Sequence, residues 1–107
     1  MNPLLIQKVI SLCKSNNDHL IIFTNHIHHT DLVHLDREKY HTFKKELQKL
    51  TSFYDFSGPN AVTKDNYYFY ETTHYRPIVG NFILDKIFLD KQFKDFGTVV
   101  KKSSMSI

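Results

Sequence analysis

Apolar residues recur at helical spacing in three stretches of this chain and form short continuous or alternating runs between them. In the first stretch Leu5, Ile6, Val9, Ile10 and Cys13 follow Asn2-Pro3, a capping residue ahead of a residue pre-set for the first helical position. This predicts an N-terminal helix with those five residues as its buried stripe, ended by Ser15-Asn-Asn-Asp18. Leu20-Ile-Ile-Phe-Thr24 is continuously apolar and β-branched, as expected of a central parallel strand covered on both faces. A polar loop follows over residues 25–34. From about Asp36 to Leu50, Tyr40, Phe43, Leu47 and Leu50 line one face of a second helix and charges line the other. Ser52-Phe-Tyr-Asp-Phe56 alternates and predicts a second strand, closed by the turn signal Ser57-Gly-Pro-Asn60. Residues 61–73 read as loop mixed with irregular extended chain. A third helix is predicted from Pro77, with Ile78, Val79, Phe82, Ile83, Ile87 and Phe88 as its apolar face and Gly80 marking close packing on the sheet. Phe93, Phe96 and Val99 are expected to fold back onto the body.

Helix, strand, helix, strand, loop, helix is the order of a parallel sheet covered by helices, an α/β arrangement of which two or three strands make only a part. The expected organisation is one partial domain over residues 1–100 and a flexible tail over 101–107. At 107 residues, 41% hydrophobic and 23% charged, the chain has ordinary globular composition. The lysines behind the net charge of +3 are dispersed, which reads as solubility and predicts no nucleic-acid partner. No apolar run reaches the length of a membrane span and no signal peptide is evident, so the expected compartment is the cytoplasm. The single cysteine, Cys13, sits on the apolar stripe of the first helix and reads as a core thiol.

The candidate chemistry lies in Tyr67-Tyr-Phe-Tyr-Glu-Thr-Thr-His-Tyr-Arg-Pro77, where a carboxylate, Glu71, stands three residues before His74 and just ahead of a helix. A carboxylate beside an imidazole fixes its tautomer and stabilises its protonated form, which suits a general base. This block resembles the last block of the SGNH/GDSL hydrolases, and the resemblance extends over roughly Leu20 to Leu89. The nearest relatives it suggests are the SGNH-like proteins of bacterial surface-polysaccharide loci. It implies a partial three-layer flavodoxin-like sandwich with a short parallel sheet, belonging to a serine esterase or acyltransferase acting on acylated carbohydrate. It also implies His74 as general base, Glu71 as its orienting carboxylate, and no cofactor or metal. Asn25 and His26, at the carboxyl end of the first predicted strand, join Arg76 as candidate substrate-binding residues. The chain departs from the family pattern in two places. Glu71 replaces the usual Asp, and no Gly-Asp-Ser block is present to supply nucleophile and oxyanion donors. The expectation is therefore a truncated domain, inactive alone, whose missing blocks lie upstream of Met1. An upstream chain or a homodimer would complete its sheet, and full-length relatives would be envelope-associated.

Other features admit two readings each. His26-Ile-His-His29, with Asp31 and His34, is either a polar loop or a zinc or nickel site shared with Glu71 or His74. Tyr67-Tyr-Phe-Tyr70 either stacks bases or sugars, or packs a loop onto the core. Arg76 either binds a carboxylate or phosphate, or pairs with Asp85 or Glu71. A small interaction module that completes its sheet with a partner chain is the alternative to an enzyme fragment.

Overall fold

The structure, a computed structural model, describes residues 3–25, 36–71 and 74–103. The described residues form a mixed α/β arrangement of three helices with a three-stranded sheet and a two-stranded ribbon. The chain divides into two compact units, Met1–Ile22 with Asp36–Phe53 and Val100–Ile107, and Phe23–Leu35 with Tyr54–Val99.

In the first unit α1 (Pro3–Ser15) packs against α2 (Arg37–Leu50). Helix α1 ends in a Schellman motif. Asn17 takes a left-handed φ of 58°, the Asp18 amide reaches the Cys13 carbonyl at 2.8 Å, and the Asn17 amide reaches Lys14 at 3.2 Å. The half-buried stripe of α1 is Ile6, Ile10 and Cys13, while Leu5 and Val9, expected inside, are exposed along with Leu4 and Leu12. Apolar residues stand on both sides of this helix, so spacing alone could not say which side is covered. Helix α2 begins as expected: the Asp36 carboxylate accepts from the Lys39 amide at 3.0 Å, and Leu47 is buried. The three residues after Val100 are hydrogen-bonded to α2 and to Ser52. Lys101 accepts from the Gln48 side chain at 3.0 Å, the Lys102 amide donates to Ser52 Oγ at 2.7 Å, and the Ser103 amide donates to Gln48 at 3.0 Å.

Most residues of the sheet belong to the second unit; its order is β1 (Phe23–Thr24), β2 (Phe53–Asp55) and β5 (Thr98–Val100), with β1 and β2 parallel in the register Phe23↔Tyr54 and Thr24↔Asp55. Strand β1 is two residues long and not five. Phe23, expected to be covered on both faces, is 45% exposed, and Thr24 is the buried residue. The core is instead largely aromatic and draws on α3 (Pro77–Leu89) and the loops beside the sheet: Phe56, Val62, Val79, Ile83 and Phe96 are buried, with Tyr68, Phe82, Ile87 and Phe93 packed around them. Phe56 and Phe96 approach to 5.0 Å between centroids, and Phe82 stacks on Phe93 at 4.1 Å. Gly97, at φ 100°, lets the chain pass so close to Phe56 that any Cβ there would collide with its ring. Gly80 has open space where a Cβ would stand, so the close packing expected of it is not its role.

Helix α3 is apolar on two sides. Val79 and Ile83 face the core, whereas Ile78, Leu84, Phe88 and Leu89 are exposed, Phe88 by 66%. Of the predicted face, then, Ile78 and Phe88 stand outside. Among the described residues no helix is long and apolar enough to cross a membrane.

Candidate functional site

Two pieces of local structure lead to the candidate residues. The first is the carboxyl end of the parallel pair. There the Asp55 carboxylate oxygen accepts from the Thr24 hydroxyl at 2.7 Å, the Ser57 amide at 3.0 Å and the Ser57 hydroxyl at 2.5 Å. Thr24 Oγ1 in turn accepts from the Phe56 amide at 3.2 Å. A buried turn follows, in which Asn60 Oδ1 accepts from the amides of Val62 and Thr63, each at 3.0 Å, and Thr63 Oγ1 accepts from the Asn60 amide at 2.8 Å. Its buried side-chain polar groups are thus hydrogen-bonded, which suits a rigid connection. Asn25 follows Thr24 directly and is exposed; His26 lies outside the described residues.

The second piece is the segment Asn66–Glu71. Asp65 accepts from the Tyr67 amide at 2.9 Å and starts a single 3-10 turn, Asn66–Tyr68. The turn leads into β3 (Phe69–Glu71), which pairs antiparallel with β4 (His74–Tyr75). Regular strand structure here was not expected from the sequence. The register sets Phe69 opposite Tyr75 and Glu71 opposite His74, with an irregularity between the two pairs. Directly opposed residues of an antiparallel pair have α-carbons about 4.5–5.5 Å apart. The acid and the histidine of the block are therefore brought opposite each other by backbone hydrogen bonding. His74 is exposed.

The tyrosine run divides by side. Tyr68 and Phe69 turn inward, Tyr68 meeting Phe82 and Phe93 edge-on, each at 5.8 Å. Burial, then the negative charge of Asp65 and the neighbouring Tyr67, push the Tyr68 phenol above its usual pKa. Tyr67 and Tyr70 stay 63% and 65% exposed, and Arg76 lies over both rings, its guanidinium carbon 5.3 Å from the Tyr67 ring centre and 4.8 Å from that of Tyr70. Arg76 Nε donates to the Tyr67 carbonyl at 2.5 Å and its amide to the Tyr68 carbonyl at 2.8 Å. Arg76 is thus seated on two rings, and Asp85 is not its partner. It is also the residue before α3, extended at φ −72° and ψ 151°, as a residue preceding proline must be.

Sequence reasoning missed Asp55 with Thr24 and Ser57, and missed the division of the tyrosines. An Asp-x-Ser at the end of an alternating run was the only signal for the first. The second had none beyond the run itself. Among the described residues no cluster of His, Cys, Asp and Glu is placed to hold a metal; the histidine loop, His26-Ile-His-His29 with Asp31 and His34, lies outside them. A shallow depression lined by Phe82, Asp85, Lys91, Gln92 and Phe93 follows the later half of α3 and includes none of the candidate residues.

The chain matches no protein-family model, no curated protein and no solved structure.

Proposed function

We propose that this chain is the histidine block of an SGNH-type serine esterase or acyltransferase acting on acylated carbohydrate, part of a three-layer flavodoxin-like sandwich and inactive alone. His74 is the general base, Glu71 its orienting carboxylate, and Asn25, His26 and Arg76 contact the substrate. The observation that carries this reading is the register pairing of Glu71 with His74 immediately before Arg76-Pro77 and α3. The parallel pair β1–β2, with Asn25 at its carboxyl end, supports it, because open α/β sheets bind ligands at that end. A base and an orienting carboxylate without a nucleophile run no acyl transfer, so the serine and the oxyanion donors come from outside these residues.

The test has two arms. The 107-residue chain should hydrolyse acetylated model esters no faster than its His74→Ala variant. A chain extended through an in-frame Gly-Asp-Ser block encoded upstream should be active and should lose about 10²–10⁴-fold on the same substitution. An extended chain indifferent to His74→Ala would remove the base assignment. His74-dependent turnover by the short chain would remove the truncation.

A second reading, a non-enzymatic interaction module, is favoured by the apolar residues exposed on α1 and α3. Light scattering behind size-exclusion chromatography tests it. A stable dimer that dissociates on Leu84→Lys with Phe88→Lys supports this reading, and a monomer at all concentrations opposes self-association.

A further inference from the structure

The seat of Arg76 has a chemistry of its own. A guanidinium lying against aromatic faces loses water where the rings cover it, while the N–H groups at its edge stay available. The Nε–H is already committed to the Tyr67 carbonyl, which fixes the plane of the group. The Nη atoms donate to no described residue and pair with no described carboxylate. A fork held in this way meets a planar oxyanion through two parallel hydrogen bonds. Both rings remain largely open to solvent, and their flat faces suit the C–H face of a sugar or the plane of a base.

The surrounding charge separates those two. A single strand of nucleic acid needs a basic groove that follows successive phosphates. Here Lys64 and Arg76 share their stretch of chain with Asp65 and Glu71, so the local sequence is balanced and offers one fixed cation. One cation against two exposed rings fits one anionic group on one ring.

We infer that Tyr67, Arg76 and Tyr70 form a binding site for a carboxylated sugar of the uronate class, its carboxylate on the Arg76 fork and its ring face on a tyrosine. This rests on the carbohydrate reading above and specifies it: the acylated glycan is acidic, and its charged residue is held at the start of α3. Tyr70 and Tyr67 supply contact area, and Arg76 supplies selection for charge.

Amide and Arg Nε resonances of the labelled 107-residue chain are followed by NMR during titration with a glucuronate-containing oligosaccharide. Parallel titrations use its neutral glucose counterpart, free acetate, and oligothymidylate. Expected are shifts centred on Tyr67, Tyr70 and Arg76, with the neutral glycan and acetate each at least about tenfold weaker, since one loses the paired hydrogen bonds and the other the ring contact. Arg76→Lys should weaken the uronate about tenfold and leave the neutral sugar unchanged. Tyr70→Ala, at an exposed position that does not hold the fold, should weaken both glycans about fivefold. Equal affinity for neutral and acidic glycan, equal affinity for acetate, or tighter and steeply salt-dependent binding of oligothymidylate overturns the site. The outcome is separable from the catalytic reading. Uronate binding by the 107-residue chain, together with an extended chain whose hydrolysis is indifferent to His74→Ala, keeps the site and removes the base assignment. His74-dependent hydrolysis by an extended chain that ignores uronates does the reverse.

Discussion

The Thr24 hydroxyl and the Asp55 carboxylate meet at 2.7 Å across the parallel pair β1–β2, at residues that are also register partners. The same carboxylate oxygen takes both the amide and the hydroxyl of Ser57, and Thr24 and Ser57 are buried. Asp55 thus satisfies two hydroxyls that would otherwise lose water without replacement. Asp55→Ala should cost about 2–4 kcal/mol in chemical denaturation, and Thr24→Val about 1–2 kcal/mol, because the second removes one donor and strands fewer groups. Equal and negligible effects would show that the cluster holds nothing.

The aromatic core and the exposed strand residue should respond very differently to truncation. Phe96→Ala empties a fully packed site beside Phe56 and should cost about 3–5 kcal/mol. Phe23→Ala, at a side chain 45% exposed, should cost less than half as much. Urea midpoints of the two variants at constant slope measure the difference.

Two glycines should give opposite signs. Gly97→Ala meets a positive φ and the Phe56 ring together, and should destabilise by about 1–3 kcal/mol. Gly80→Ala fills open space inside a helix and should stabilise by about 0.5–1 kcal/mol. Thermal melts of both variants against the parent decide it.

The raised pKa of Tyr68 carries a sign. A phenol whose folded pKa exceeds its unfolded value near 10 contributes stability that is fully present below that pH and is lost as pH rises through the folded value. Stability measured from pH 9 upward should therefore fall from about pH 10, and Tyr68→Phe should flatten part of that fall. In a spectrophotometric titration the tyrosinate absorbance removed by Tyr68→Phe should be the late part of the curve.

What the sequence disclosed follows from where its signals are local. Asp36 and Pro77 mark helix starts through hydrogen bonds and ring geometry made within a turn, and both α2 and α3 begin there. The alternation around Phe53 to Asp55 likewise found β2. Burial is not local. Leu5 and Val9 are as apolar as Ile6 and Ile10, and only the position of α2 decides which pair is covered. Strand β5 escaped notice because Thr98-Val-Val100 is too short to show a period, although a β-branched triplet behind Gly97 was its trace. In the candidate block the sequence offered the spacing of Glu71 and His74. The ribbon that sets them opposite, and the two rings that hold Arg76, depend on the register of β3 with β4 and on the turn imposed by Asp65.

The two-sided apolar character of α3 bears on what substitution can teach. Val79 and Ile83 are fixed by the interior, so a library of α3 variants selected only for stable expression should retain them. In the same library Ile78, Leu84, Phe88 and Leu89 should drift freely to Lys, Glu and Gln, since all four stand exposed. Any of the four that is recovered unchanged when selection is instead for activity in the cell marks a demand that folding does not make.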